Sequence, residues 1–124
     1  MVRTFTELAE SLDAALSPEE KRDIRALAEA ELWKLHTGLN ALIRSLAFHR
    51  NESASGRAYL GRLCLQPDDA SAVLGVLYWR HLRGLALGRD EILSVLEREF
   101  VLGTPDELAQ WAAELGADCR ALAG

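Results

Sequence analysis

The chain has 124 residues, of which 49% are hydrophobic and 27% charged, with a formal charge of −5 and a pI near 5.2. That is enough chain to bury a core without disulfides or metals, and the composition excludes a disordered tail. No run reaches about 18 apolar residues, so no transmembrane helix is expected. The net acidity argues against a nucleic-acid-binding domain, whose affinity comes from neutralising phosphates.

Leu, Ala, Arg and Glu dominate while β-branched residues are scarce, which favours helices over strands throughout. Met1 to Glu7 lacks the apolar core and cleavage site of a signal peptide. Cys64 and Cys119 stand far apart without CxxC spacing, as expected of reduced, buried thiols. The expected compartment is the cytoplasm. Twelve arginines against two lysines point compositionally to a GC-rich, bacterial coding source.

In chain order, Thr4-Phe5-Thr6-Glu7 has the form of a capping box, and Phe5, Leu8, Leu12, Ala15 and Leu16 follow at helical spacing. A first helix is predicted over residues 5 to 16. Ser17-Pro18-Glu19-Glu20 is a second start, with a capping Ser, Pro at the first helical position and Glu20 closing the box. Ile24, Ala28, Leu32, Leu35, Leu39, Leu42 and Leu46 then recur at steps of 4, 4, 3, 4, 3 and 4. The phase survives Gly38 and predicts one long helix from about 18 to 49, with a break at Thr37-Gly38 as the alternative.

Asn51 to Gly56 reads as a polar loop, and a short helix with Tyr59, Leu60 and Leu63 inward should follow and stop before Pro67. The most apolar stretch comes next. Asp68 is a candidate N-cap and Asp69 complements the helix dipole. Ala70, Val73, Leu74, Leu77 and His81 share one face, which Val76 and Trp79 widen. This is the expected central helix, about 69 to 83, with Gly84 as its C-cap. A further helix starts at Asp90 with Ile92, Leu93, Leu96 and Phe100 inward, ending at Gly103. Thr104-Pro105-Asp106-Glu107 opens the last, whose stripe is Leu108, Trp111, Ala112, Leu115, Cys119 and Leu122. The expected architecture is all-α: one domain over residues 1 to 124, an irregular helical bundle of six to seven helices.

The residues carry no catalytic pattern. His36, His49, His81, Cys64 and Cys119 show none of the HxxxH, HExxH, CxxC or CxxH spacings of metal sites. No strand precedes the glycines as a phosphate loop requires, and the carboxylates Glu7, Glu20, Asp68, Asp90 and Glu107 sit at helix starts, where capping explains them. The chain is therefore expected to be no enzyme, with no cofactor and no metal. Charge is segregated instead. Residues 1 to 31 hold eight acids against four bases, residues 32 to 89 eight bases against three acids, and residues 90 to 124 eight acids against two bases. Such segregation favours steered association with a charged protein partner. Arg44, Arg50, Arg57 and Arg62 around the loop are the candidate positive patch on which a nucleic-acid reading would rest. On the last helix Glu107, Glu114 and Asp118 lie off the apolar stripe; with Asp106 they are the candidate partner-binding residues.

Pro67, Asp69, Ala70, Ser71, Ala72, Tyr78 and Trp79, with Leu35-His36 upstream, carry a motif that resembles that of a group of small bacterial helical domains. The resemblance covers residues 32 to 82 and lacks the upstream Asn-Trp-Asp that such domains often show. Members commonly occur beside polymorphic and contact-delivered toxins. The resemblance thus implies an immunity protein that binds a cognate toxin and occludes its active site, and is a monomer or homodimer when free. The alternative expectation is a self-associating scaffold or regulatory module using the Ala28 to Leu46 stripe as its interface.

Overall fold

The computed structural model describes residues 4–35, 38–49, 67–99 and 104–123. Among these residues the protein is all-α, without a strand. Helix α1 (Phe5–Ala15) and α2 (Pro18–Ala26) are followed by a 3₁₀ segment (Glu29–Leu35), then α3 (Leu39–Ile43), which continues as a π-helical segment (Arg44–His49). Helices α4 (Pro67–Leu82), α5 (Arg89–Glu99) and α6 (Pro105–Ala123) complete the bundle. The predicted loop at 51–56, the short helix with Tyr59, Leu60 and Leu63, and Phe100 and Gly103 lie outside the described residues.

The starts read at Ser17 and Thr104 form as expected. Ser17 Oγ accepts from Glu20 N–H at 3.1 Å, while Glu20 Oε1 accepts from Ser17 N–H at 2.9 Å. The same reciprocal pair joins Thr104 and Glu107 at 3.2 and 3.4 Å. Gly84, at φ +67°, ends α4 in the left-handed conformation that glycine adopts without strain. Its N–H donates to His81 C=O and that of Leu85 to Arg80 C=O, the paired bonds of a Schellman stop. Helix α4 begins at Pro67, so Asp68 lies inside its first turn and is not its N-cap.

One buried cluster joins all of these elements. Helix α4 supplies Ala70, Val73, Leu74, Val76, Leu77, Tyr78 and Trp79, which cover most of its circumference. It packs against α2, the 3₁₀ segment, α3, the π segment and α5, as a central helix should, while α6 lies chiefly on α5 and α1. Each fully buried Leu contributes on the order of 1.5–3 kcal/mol by leaving water.

The single long helix over 18 to 49 is not formed. The chain leaves helical geometry at Leu27, which is extended at φ −65° and ψ 139°. Polar side chains compensate the backbone groups released there. Leu27 C=O accepts from Trp79 Nε1 at 3.0 Å and from Arg83 at 2.9 Å, and Ala28 N–H donates to Glu31 at 2.9 Å. Backbone N–H and C=O must be paired wherever water is excluded, and here α4 supplies partners that a continuous helix would not use. Ala28 is exposed, but the leucines of the Ala28 to Leu46 stripe are folded into the chain's own core. Leu32, Leu35 and Leu39 are buried, and Leu42 and Leu46 pack against the cluster.

Candidate functional site

After the break at Leu27 the 3₁₀ segment leaves a large aromatic exposed. In a 3₁₀ helix residues three apart eclipse, so Leu32 and Leu35 both point inward and the two residues between them, Trp33 and Lys34, are turned out. The Trp33 side chain is 72% exposed, far more than a large aromatic in a core would be. Glu31 holds the segment's shape by accepting from Ala28 N–H and pairing with Lys34 at 2.9 Å. Those bonds keep the Glu31 carboxyl below its ordinary range, the backbone bond first and the Lys34 contact second.

Trp33 stands at the edge of a groove of about 710 Å³ between the 3₁₀ segment, α3, α4 and α5. Leu32, Ala72 and Val76 give it apolar walls. Across the rim Arg98 bridges Glu29 at 3.1 Å and Glu99 at 3.4 Å, tying α5 to the 3₁₀ segment through exposed charges. Asn40 of α3 also lines the groove and is only 5% exposed. Its Oδ1 is buried with no hydrogen-bond partner among the described residues. Leaving such an acceptor unmet costs about 1–3 kcal/mol, so it is an uncommon feature to find in a folded core. The carboxamide lies against Gly75, where a Cβ would stand 2.1 Å from Oδ1, so α3 and α4 approach this closely only because α4 has a glycine there. The groove thus combines an apolar wall, an exposed aromatic, a charged rim and an unmet acceptor. That chemistry suits non-covalent recognition.

The acidic residues singled out from the sequence are placed differently from one another. Asp106 is exposed in the first turn of α6. Glu107 is exposed and accepts from Thr104 N–H and Oγ1–H as a cap. Glu114 is half-buried, with Gln110 Nε2 donating to it at 3.5 Å. Asp118 is bound to α1: it accepts from Phe5 N–H, from Thr6 N–H at 3.2 Å and from Thr6 Oγ1–H at 2.6 Å. With Thr4 Oγ1 accepting from Glu7 N–H and Thr4 C=O from Leu8 N–H, every first-turn amide of α1 has a partner. The carboxylate also lies where the helix dipole favours negative charge. Asp106 and Asp118 are separated by about 18 Å of helix, at about 1.5 Å per residue, so the four acids do not converge on one point.

Arg44 of the basic segment donates to Ser71 Oγ at 3.0 Å. Arg50, Arg57, Arg62, His36 and Cys64 lie outside the described residues, as does the side chain of His49. His81 is half-buried with its ring 6.1 Å from that of Tyr78. Burial and the neighbouring Asp118 charge push the Cys119 thiol up to about 12, so it stays protonated and unreactive. Burial, and then the bond its hydroxyl donates to Asp13 at 2.6 Å, likewise raise Tyr78. Among the described residues no group of three or more His, Cys, Asp and Glu gathers as metal ligands would, and no helix is long and apolar enough to cross a membrane.

Sequence reasoning missed both Trp33 and Asn40. Trp33 lies off the phase set by Leu32 and Leu35, and that displacement was the available signal. Asn40 sits beside Leu39 with nothing in the sequence to pair it with Gly75. Neither a family model, nor a curated protein, nor a solved structure matches this chain.

Proposed function

We propose that this chain is a protein-binding module that acts by covering its partner, and specifically an immunity protein that occludes the active site of a cognate bacterial toxin in the cytoplasm. The observation that carries the binding reading is Trp33, held out of the core at the edge of the Asn40 groove. Exposed aromatics beside apolar pockets are typical anchors of protein interfaces, because they bury a large area at small entropic expense. The groove's charged rim matches the polar surround of such anchors. The toxin as partner rests on the motif at Pro67 to Trp79 and on the segregated charge of the chain. Non-enzymatic action without cofactor, metal or nucleic acid belongs to the same reading.

The self-associating scaffold draws no support from a specific surface, because the leucines of the stripe it would use pack into the bundle. The test is affinity capture from the source cells with the tagged chain, comparing wild type with Trp33→Ala and identifying stoichiometric partners by mass spectrometry. One dominant protein with a toxin or secretion domain is expected. Retention by the variant should fall by about tenfold or more, the usual effect of removing an aromatic anchor. Recovery of the chain alone, equal retention by the variant, or nucleic acid that washes off with salt would each refute the reading.

A further inference from the structure

A second concavity, of about 530 Å³, opens between the end of α1, α2 and the end of α4. Lys21, Arg22 and Arg25 of α2 line it together with His81 of α4, and Asp13 is the one carboxylate among its lining residues. Three fixed cations against one anion form an unusual local balance in a chain of net charge −5.

The arrangement follows from the helix itself. At about 100° per residue, Lys21, Arg22 and Arg25 fall within one arc of α2, while Glu19, Glu20 and Asp23 fall on another. Glu20 is committed to its cap on Ser17. Asp13 is engaged by the Tyr78 hydroxyl at 2.6 Å, and Lys21 Nζ donates to the Asp13 main-chain carbonyl at 3.3 Å. Among the described residues neither Arg22 nor Arg25 has a hydrogen-bond or ion-pair partner. Both guanidinium forks are therefore available at the same opening, beside a lysine with donors to spare.

We propose that this pocket binds the phosphoryl group of a small molecule, with Arg22 and Arg25 as paired-donor ligands, Lys21 as a point charge and His81 at the wall. A guanidinium presents two parallel N–H donors that match the edge of a phosphate, and such charge-assisted bonds are the stronger ones. A carboxylate would bring one charge to three cations, whereas a phosphate monoester brings nearly two. A discrete pocket on an otherwise acidic molecule suits a small ligand better than a polyanionic strand. This site is separate from the Trp33 groove and stands or falls independently of it.

The test is titration of the full chain with inorganic phosphate at fixed pH and ionic strength, balanced with chloride, following the His81 ring resonances. Saturable shifts are expected. Arg22→Ala combined with Arg25→Ala should weaken binding by about tenfold or more, since both guanidinium forks and their charge-assisted bonds are lost. Arg25→Lys should retain part of the affinity, and Arg120→Ala on α6 should leave the titration unchanged. Far-UV circular dichroism checks that the variants keep their helices. A shift that grows linearly without saturation, or that is the same in the double variant as in wild type, would overturn the proposal.

Discussion

The stretch from α2 to the π segment and helix α4 bury apolar side chains at similar spacing, yet they do so by opposite backbone routes. From Ala70 to Trp79 helix α4 has no charged residue and stays helical throughout. The earlier stretch carries Glu31, which caps Ala28, and it runs beside Trp79 and Arg83, which together take the Leu27 carbonyl. A helix yields where side chains offer its backbone equivalent partners, and the apolar phase can survive the break. Apolar periodicity therefore reports which side chains face the core, and it leaves the continuity of the backbone to be decided by polar competition.

That contrast can be broken by measurement. The largest effect should come from Leu77→Ala in α4, whose fully buried side chain predicts a loss of about 2–5 kcal/mol in urea unfolding. Leu42→Ala, in the broken stretch and half-buried, should lose clearly less. Equal losses would mean that the two stretches are equally central.

Gly75→Ala sharpens the comparison where the two stretches meet. The new Cβ would stand 2.1 Å from Asn40 Oδ1, and overpacking of this kind costs about 1–3 kcal/mol. In an Asn40→Ala background the obstacle is gone, and the preference of a helix for Ala over Gly, about 1 kcal/mol, should reverse the sign. Calorimetric melting of the four proteins in the cycle would detect the reversal.

The smallest expected effect is at the break. Trp79→Phe keeps most of the buried ring but removes the donor to Leu27 C=O, which still has Arg83. A loss of about 0.5–1.5 kcal/mol is expected, with faster amide exchange across residues 27–35. Unchanged exchange there would show that the break does not depend on the indole.

Much of the fold was legible because its determinants are local. Ser17-Pro18-Glu20 and Thr104-Pro105-Glu107 act within four residues of sequence, and Gly84 stops α4 by its own backbone freedom. The break at Leu27 was not legible, since the groups that stabilise it arrive from residues 52 and 56 positions away. The groove was hidden for the same reason. Asn40 meets Gly75 only after α3 and α4 pack, and Trp33, off the apolar phase in the sequence, gains a groove beside it only once those elements assemble. Among the candidate acids, periodicity placed Asp118 off the stripe of α6, but it had no means of placing α1 there.

The Asp118 clamp also gives the chain a timetable. The amides of Phe5 and Thr6 take as partner a carboxylate 113 and 112 residues downstream. A ribosome adding roughly 5–20 residues per second leaves the start of α1 without that acceptor for on the order of ten seconds. During this interval the Phe5 and Thr6 amides face water or a chaperone, and α1 is held by its apolar face and its local Thr4 cap. Completion of the bundle is thus coupled to the emergence of α6, and a nascent chain stalled before Asp118 would carry a frayed, protease-accessible beginning.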